Sequence, residues 1–438
     1  MPPRIATSVT PAATRFERFG PGVLGVLLVA PAALDDGGFF RRSWLWLAML
    51  FAAMAGLGLL RGRPKLSGPT LASGVALAGL GVLALVSRFW VVRGTDTLSE
   101  AKRTGLYLLA FVALVACVRA TGRAALLGGV VVGIAIATGA SLWNFVYDRS
   151  DPHDPYNGNL LSDPLGYPNA IGLLVAIGAL LALGLDQEAR DPRLRRCLGG
   201  LVPVFLLGLS LSGSRGALLA IAGGVALAVA LSPARVALVA RAVPLCIVGA
   251  VGALAAQSLD ASLVPLVVAA IAVGGASMPF ALPTAWLRVA GVGAIVAAVA
   301  LLAVQRPSVS SSFRTDYWSA AVRAYEDHVV LGAGAGSFPM LWREYRQADL
   351  SVRDVHNLYL ETLTELGPPG LVLVLVLVGA PLASAGLRRR APLVAVSAGA
   401  FTAFALHAAV DWDWELPAVV QSALACGFAV AVVGSDDY

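Results

Sequence analysis

Long uninterrupted apolar runs recur from one end of this chain to the other. "LVLVLVLVGAPL" at 371–382 is the plainest of them. A helix needs about 20 such residues to cross a hydrocarbon core of about 30 Å. Because these runs are continuous rather than alternating, a membrane β-barrel is excluded. A water-soluble domain is excluded too, since 13% charged residues falls well below the roughly 25% that a solvated surface carries. The expected fold class is an all-α polytopic membrane protein.

Fourteen candidate spans follow from the runs: 21–35, 43–60, 70–88, 105–118, 124–142, 169–185, 198–212, 216–232, 242–256, 261–279, 289–304, 370–386, 391–409 and 417–434. Several are short enough to pair as half-helices, so the expected count is 12–14. Three regions result: N-terminal transmembrane helices at 1–304, a polar loop at 305–369, and C-terminal transmembrane helices at 370–438. The four cysteines (Cys117, Cys197, Cys246, Cys426) lie in or beside apolar runs without metal-like spacing, and read as small membrane hydrophobes.

The distribution of basic residues orients the bundle. With both termini in the cytoplasm, the short connections on that side hold eighteen of the 32 Lys and Arg residues, Arg388, Arg389 and Arg390 among them. The net charge of +6 is therefore a topology signal and not a sign of a nucleic-acid partner. Three polar segments land outside: 143–169, 305–369 and 407–417. The first run carries no obvious cleavage site and reads as a retained helix.

Functional candidates gather in those outer segments. In helical form, 354–366 would set His356, Leu360 and Leu363 on one face. Asn357, Glu361 and Thr364 would form the adjoining stripe, with Glu365 one turn beyond Glu361. A histidine beside carboxylates suits a general base or an anion-holding group. Arg215, between two apolar runs in "LSLSGSRGALLAIAGG", is costly there and so a functional candidate. Arg314 and Arg323 add outer cations, roughly two and a half helical turns apart. Planar guanidinium forks suit phosphate oxygens, so the expected ligand is a polyanion such as a lipid diphosphate. Asp411 and Asp413 in "DWDWE" offer carboxylates beside tryptophan faces, a combination that suits sugars, although tryptophans at such a level also form an interfacial belt. "GAGAGSF" at 332–338 has no preceding strand and no following Gly-Lys-Ser/Thr, which rejects a nucleotide loop and leaves a tight turn. His153, His328, His356 and His407 are scattered, so neither a metal site nor a cofactor is expected.

The order of these motifs resembles the O-antigen ligase and polymerase-like family of bacterial membrane glycosyltransferases. The resemblance is carried by "SGSRGALLA" at 212–220, "FRTDYWSAAVRAYEDHVVLGAGAGSFPMLW" at 313–342 and "VHNLYLETLTELGPPG" at 355–370. "YPNAIGLL" at 167–174, which contains Asn169, matches more weakly. The resemblance implies a GT-C-like helical bundle in the bacterial cytoplasmic membrane, with an extracytoplasmic site. It further implies metal-independent, inverting transfer of a glycan from undecaprenyl diphosphate to a glycolipid, protein or polysaccharide acceptor. Carried over by position, Arg215 and Arg314 would hold the diphosphate and His356 would be catalytic. Asn357, Glu361 and Glu365 fall within the matching motif as further substrate-contact candidates, and the residue reading adds Asn169, Arg323, Asp411 and Asp413, although "DWDWELP" belongs only to some branches of the family. A flippase for lipid-linked oligosaccharide should show internal repeats and interrupted helices in matching halves, and neither is evident. A structural role in an envelope complex is the other alternative.

Overall fold

The computed structural model describes residues 15–61, 64, 66–91, 95–147, 160–278, 313–346 and 350–432. Among them are fifteen α-helices. The first ten are α1 (Arg15–Ala33), α2 (Arg41–Leu59), α3 (Gly68–Val86), α4 (Thr97–Cys117), α5 (Arg123–Tyr147), α6 (Pro168–Glu188), α7 (Pro192–Leu211), α8 (Arg215–Leu231), α9 (Arg235–Ser258) and α10 (Val264–Ser277). Two amphipathic helices follow, α11 (Arg314–Glu326) and α12 (Phe338–Tyr345). The last three are α13 (Leu358–Ala385), α14 (Val394–His407) and α15 (Pro417–Ala431). The chain is a multi-pass helical membrane protein; among the described residues seven helices are long and apolar enough to cross a bilayer, and five are shorter and apolar.

Thirteen of the fourteen expected spans coincide with a helix. The remaining one, 289–304, lies outside the described residues, as do 148–159 of the first expected outer segment and 305–312 and 347–349 of the second. One boundary differs in kind. The span expected from Gly370 begins twelve residues earlier, at Leu358, and carries a break at Gly367, whose φ of 65° is left-handed. The polar end of the loop and the apolar run are thus one helix with a joint.

Small residues decide how the bundle closes. Helix α6 is its central element, with 94% of its apolar window buried, and α15 is buried along its whole length. Lipid tails are as apolar as leucine, so helices in a bilayer associate through close backbone approach and polar contacts instead of hydrophobic exclusion. Between α8 and α14 a Cβ built on Gly224 would lie 2.5 Å from the Gly399 carbonyl oxygen, and the converse holds for Gly399. At the α1–α5 crossing, a Cβ on Gly129 would sit on the Gly22 carbonyl. A buried ion pair adds the polar component: Arg241 Nε donates to Asp186 Oδ2 (2.8 Å) and Nη2 to Oδ1 (3.1 Å), joining α9 to α6.

Gly129→Val should force α1 away from α5 and lower the detergent melting temperature, at an overpacking cost of about 1–3 kcal/mol. Gly56→Val, where a Cβ meets nothing within 4 Å, is the matched control and should cost far less. Equal melting temperatures for the two would refute the close-approach account.

Candidate functional site

Asp411, in the turn between α14 and α15, is 1% exposed at its side chain. A carboxylate buried this deeply must satisfy its lone pairs internally, and four donors supply them. Tyr167 Oη (2.8 Å) and the Trp412 backbone N–H (2.9 Å) donate to Oδ1. Asn169 Nδ2 (2.7 Å) and Arg314 Nη2 (2.9 Å) donate to Oδ2. Asn169 also donates to the Tyr167 hydroxyl oxygen (2.8 Å). Three distant stretches of chain therefore meet on one acid: the start of α6, the start of α11, and the α14–α15 turn. Arg314 keeps donors to spare, since its Nε is buried without a hydrogen-bond partner.

His356 stands beside this network. Its ring lies 5.3 Å from the Tyr317 ring and 6.2 Å from that of Trp412, centroid to centroid. Contrary to the helical reading of 354–366, His356 precedes α13 and takes a left-handed φ of 59°. Histidine adopts that region more readily than most side chains. The helix starts at Leu358 because Asn357 caps it, its Oδ1 accepting from Tyr359 N–H (3.1 Å) and Leu360 N–H (3.0 Å). His356 Nδ1 lies 3.1 Å from the Asp354 carbonyl oxygen, which can only accept. Nδ1 thus carries the proton, and in the neutral ring Nε2 presents the lone pair.

The other end of that short helical segment does a different job. Glu365 receives the backbone N–H groups of Gly336 (2.7 Å) and Phe338 (2.9 Å) on its two carboxylate oxygens. The carbonyls of Thr364 and Glu365 accept from Ala333 (3.0 Å) and Gly334 (2.7 Å). The glycine-rich turn is therefore clasped onto the Gly367 joint. A Cβ on Gly332 would strike the Glu365 backbone, and Gly332, Gly334 and Gly336 all have positive φ.

Arg215 opens α8, after Ser214 caps it by accepting from Ala217 N–H (3.2 Å). Its side chain is exposed. A Cβ on the adjoining Gly216 would come 3.1 Å from His407 Nε2 and 3.5 Å from Val410, so the Arg215 turn packs directly on the turn that delivers Asp411. Gly172, one helical turn beyond Asn169, meets Ser212 and Ser214 from the other side. Arg215, Arg314, Asn169 and His356 thus share one end of the bundle.

Four expectations are corrected by the geometry. Arg323 is nine residues from Arg314, which at about 100° per residue puts it on the opposite face of α11. It donates to the Tyr345 carbonyl (2.7 Å) and ties α11 to α12. Asp413 does not face a sugar: it accepts from His407 Nδ1 at 2.6 Å, with both side chains fully buried. Asp411 has its four acceptor positions filled, as above. The tryptophan faces are occupied by protein, Trp412 lying against Phe39 (5.4 Å) and Tyr167 (4.7 Å) and Trp414 against Tyr107 (5.0 Å).

A second polar cluster adjoins the first through a cavity of about 50 Å³ that is lined by Asp411, Trp412, Glu361 and Arg103 among others. Asp354, Glu361 and Glu415 bring carboxylate oxygens within 4.8 Å of one another, and this group could hold a cation. Part of its charge is already answered. Arg103, on α4, grips both oxygens of Glu415 and also reaches Glu100. Val355 N–H donates to Glu361 (3.0 Å).

Sequence reasoning missed Tyr167, Arg103, Asp354 and His407. Signals for two of them exist. Arg103 lies three residues after Glu100 at the head of an apolar helix, and His407 lies six residues before Asp413. Neither spacing says which distant residue completes the pair.

Burial raises the Asp354 carboxyl from its ordinary 3.8 to about 6, against the lowering effect of Arg353, His356 and Arg103. The folded protein thus holds this proton more tightly than the unfolded chain. Its contribution to stability is intact below pH 3.8 and declines as pH rises through about 6. The difference in melting temperature between Asp354→Asn and wild type should accordingly grow in the variant's favour from pH 4 to pH 7. A difference that stays constant with pH would refute a raised Asp354 pKa.

In comparisons with known proteins, the family model described as O-Antigen ligase matches residues 200–375. That stretch contains Arg215, Arg314, His356, Asn357, Glu361 and Glu365. Asn169, His407, Asp411 and Asp413 fall outside it. A search of curated proteins found no match.

Proposed function

From this similarity to the O-antigen ligases we propose that the protein transfers a glycan from undecaprenyl diphosphate to an acceptor on the outer face of the cytoplasmic membrane. The family match supports glycan transfer in general. The observation that carries the finer reading is the convergence of Arg314 and Asn169 on buried Asp411, with His356 and the Arg215 turn beside them.

In this proposal the acceptor hydroxyl oxygen bonds to the anomeric carbon of the donor sugar as the bond from that carbon to the diphosphate oxygen breaks. Attack from the opposite face inverts the anomeric centre. The electron pair leaves with the polyprenyl diphosphate, whose growing charge is met by Arg215 and by the unused donors of Arg314. Preorganised cations at the atoms where charge develops can lower a barrier without a metal ion. The hydroxyl proton passes to His356 Nε2, the nitrogen left with a lone pair by the Asp354 carbonyl. Asn169 and Asp411 act through Arg314 as positioning residues, and Asp411 fixes the guanidinium in one rotamer.

Purified protein in nanodiscs with a fluorescent undecaprenyl diphosphate glycan and candidate acceptors tests this directly. His356→Ala should lower the transfer rate by roughly 10²–10⁴-fold, and Arg314→Ala by roughly 10²–10³-fold, with normal elution on size exclusion. Product formation should persist in chelator. Wild-type transfer by His356→Ala would remove the base from the mechanism, and loss of product in chelator would redirect attention to Asp354, Glu361 and Glu415.

The proposed orientation has its own test. Glu326→Cys and Arg389→Cys should be labelled by an impermeant thiol reagent from opposite sides of the membrane, Glu326→Cys in intact cells. Labelling of both from one side would overturn the topology.

A further inference from the structure

Helices α6, α8 and α14 each have one end in the site just described. Their other ends meet around a separate cavity of about 220 Å³, lined by Gln187 and Glu188 of α6, by Ser232 after α8, and by Arg389, Arg390 and Leu393 before α14. Helix α14 has fourteen residues, so the two ends stand about 20 Å apart along it. On the orientation expected from the basic loops, this end faces the cytoplasm.

The donors here are arranged unlike those of the neighbouring basic residues. Arg123 Nη1 donates to the Pro392 carbonyl (2.7 Å), and Arg388 turns inward onto the Ala431 carbonyl. Arg389 and Arg390 are exposed and line the cavity. No ion pair to either guanidinium occurs among the described residues. Gln187 adds a telling atom: its Nε2 is buried without a hydrogen-bond partner. A buried amide donor left unmade is costly, and a ligand that supplies acceptors would remove that cost. The Ser232 hydroxyl hydrogen is a further donor, its oxygen already accepting from Ala234 N–H (3.2 Å). The rim beyond is apolar, with Leu238, Leu393, Ala395 and Val396.

We propose that this cavity binds the anionic phosphodiester headgroup of a membrane phospholipid. Two guanidiniums and a buried amide give donors to phosphate oxygens, and the apolar rim gives the acyl chains a path back to the bilayer. Basic pockets between helices at a membrane face are suited to such headgroups. Glu188 opposes an anion, but two arginines outnumber it. A lipid seated here would bridge α6, α8 and α14 and so fix the spacing of the helices that bear Asn169, Arg215 and the Asp411 turn. This inference does not depend on the reaction catalysed.

The test is native mass spectrometry of the full-length detergent-purified protein with phosphatidylglycerol, phosphatidylcholine and glycerol 3-phosphate as probes, paired with melting curves. Wild type should retain phosphatidylglycerol in preference to phosphatidylcholine and melt higher in its presence. The double variant Arg389→Gln/Arg390→Gln should bind it roughly tenfold more weakly and lose the rise in melting temperature. Gln187→Leu, which removes the unpaired donor, should weaken binding with both arginines intact and keeps the test open if the double variant folds poorly. Retention by both variants equal to wild type would overturn the proposal. Full competition by glycerol 3-phosphate at equal concentration would assign the phosphate chemistry to a soluble ester and overturn the lipid source.

Discussion

A carboxylate withdrawn from water must be answered by donors. In this protein the demand of Asp411 gathers the starts of α6 and α11 at one end of the bundle. Its four hydrogen bonds draw in α6 through Asn169 and Tyr167 and α11 through Arg314. Remove that acid and Arg314 has no reason to hold its present rotamer, and the start of α11 loses its tie to α6. The cost of the arrangement is that Asp411 has no remaining capacity to contact a substrate. Its importance is wholly to geometry.

The same logic governs the polar cluster next to it. Arg103, Glu100 and Glu415 close on one another, and Asp354 and Glu361 lie at the edge of that group. His407 and Asp413 form a third closed pair beneath the Arg215 turn. Buried ion pairs of this kind often add little net stability, because desolvation offsets the attraction. Their effect here is conformational: Arg103–Glu415 joins α4 to the α14–α15 turn across the chain, and His407–Asp413 fixes the fold of that turn locally.

How much of this was legible beforehand differs by physical cause. Apolar runs are local, and thirteen of the fourteen expected spans meet helices. Arg215, Arg314 and His356 were singled out because charge beside a membrane segment is conspicuous on its own. What a single stretch of sequence cannot carry is partnership. Nothing near Asp411 says that Tyr167 will donate to it, and nothing in "GAGAGSF" names Glu365 as its clasp. Arg323 stands nine residues from Arg314 and so on the other face of α11, a phase already available in the spacing. His356 failed as a helical residue because the cap at Asn357 was read as part of the stripe.

The short helical segment from Asn357 to Gly367 carries unrelated duties at its two ends. One end fixes the His356 ring, while the other anchors the glycine-rich turn and pivots about a residue that admits no side chain. Under the proposed function, inactivating lesions in this motif fall into two phenotypes, folded but silent protein near position 356 and scarce protein near 365–367. A genetic screen scored by loss of product alone would merge these into one apparent catalytic stretch, and measuring abundance alongside product is what separates them.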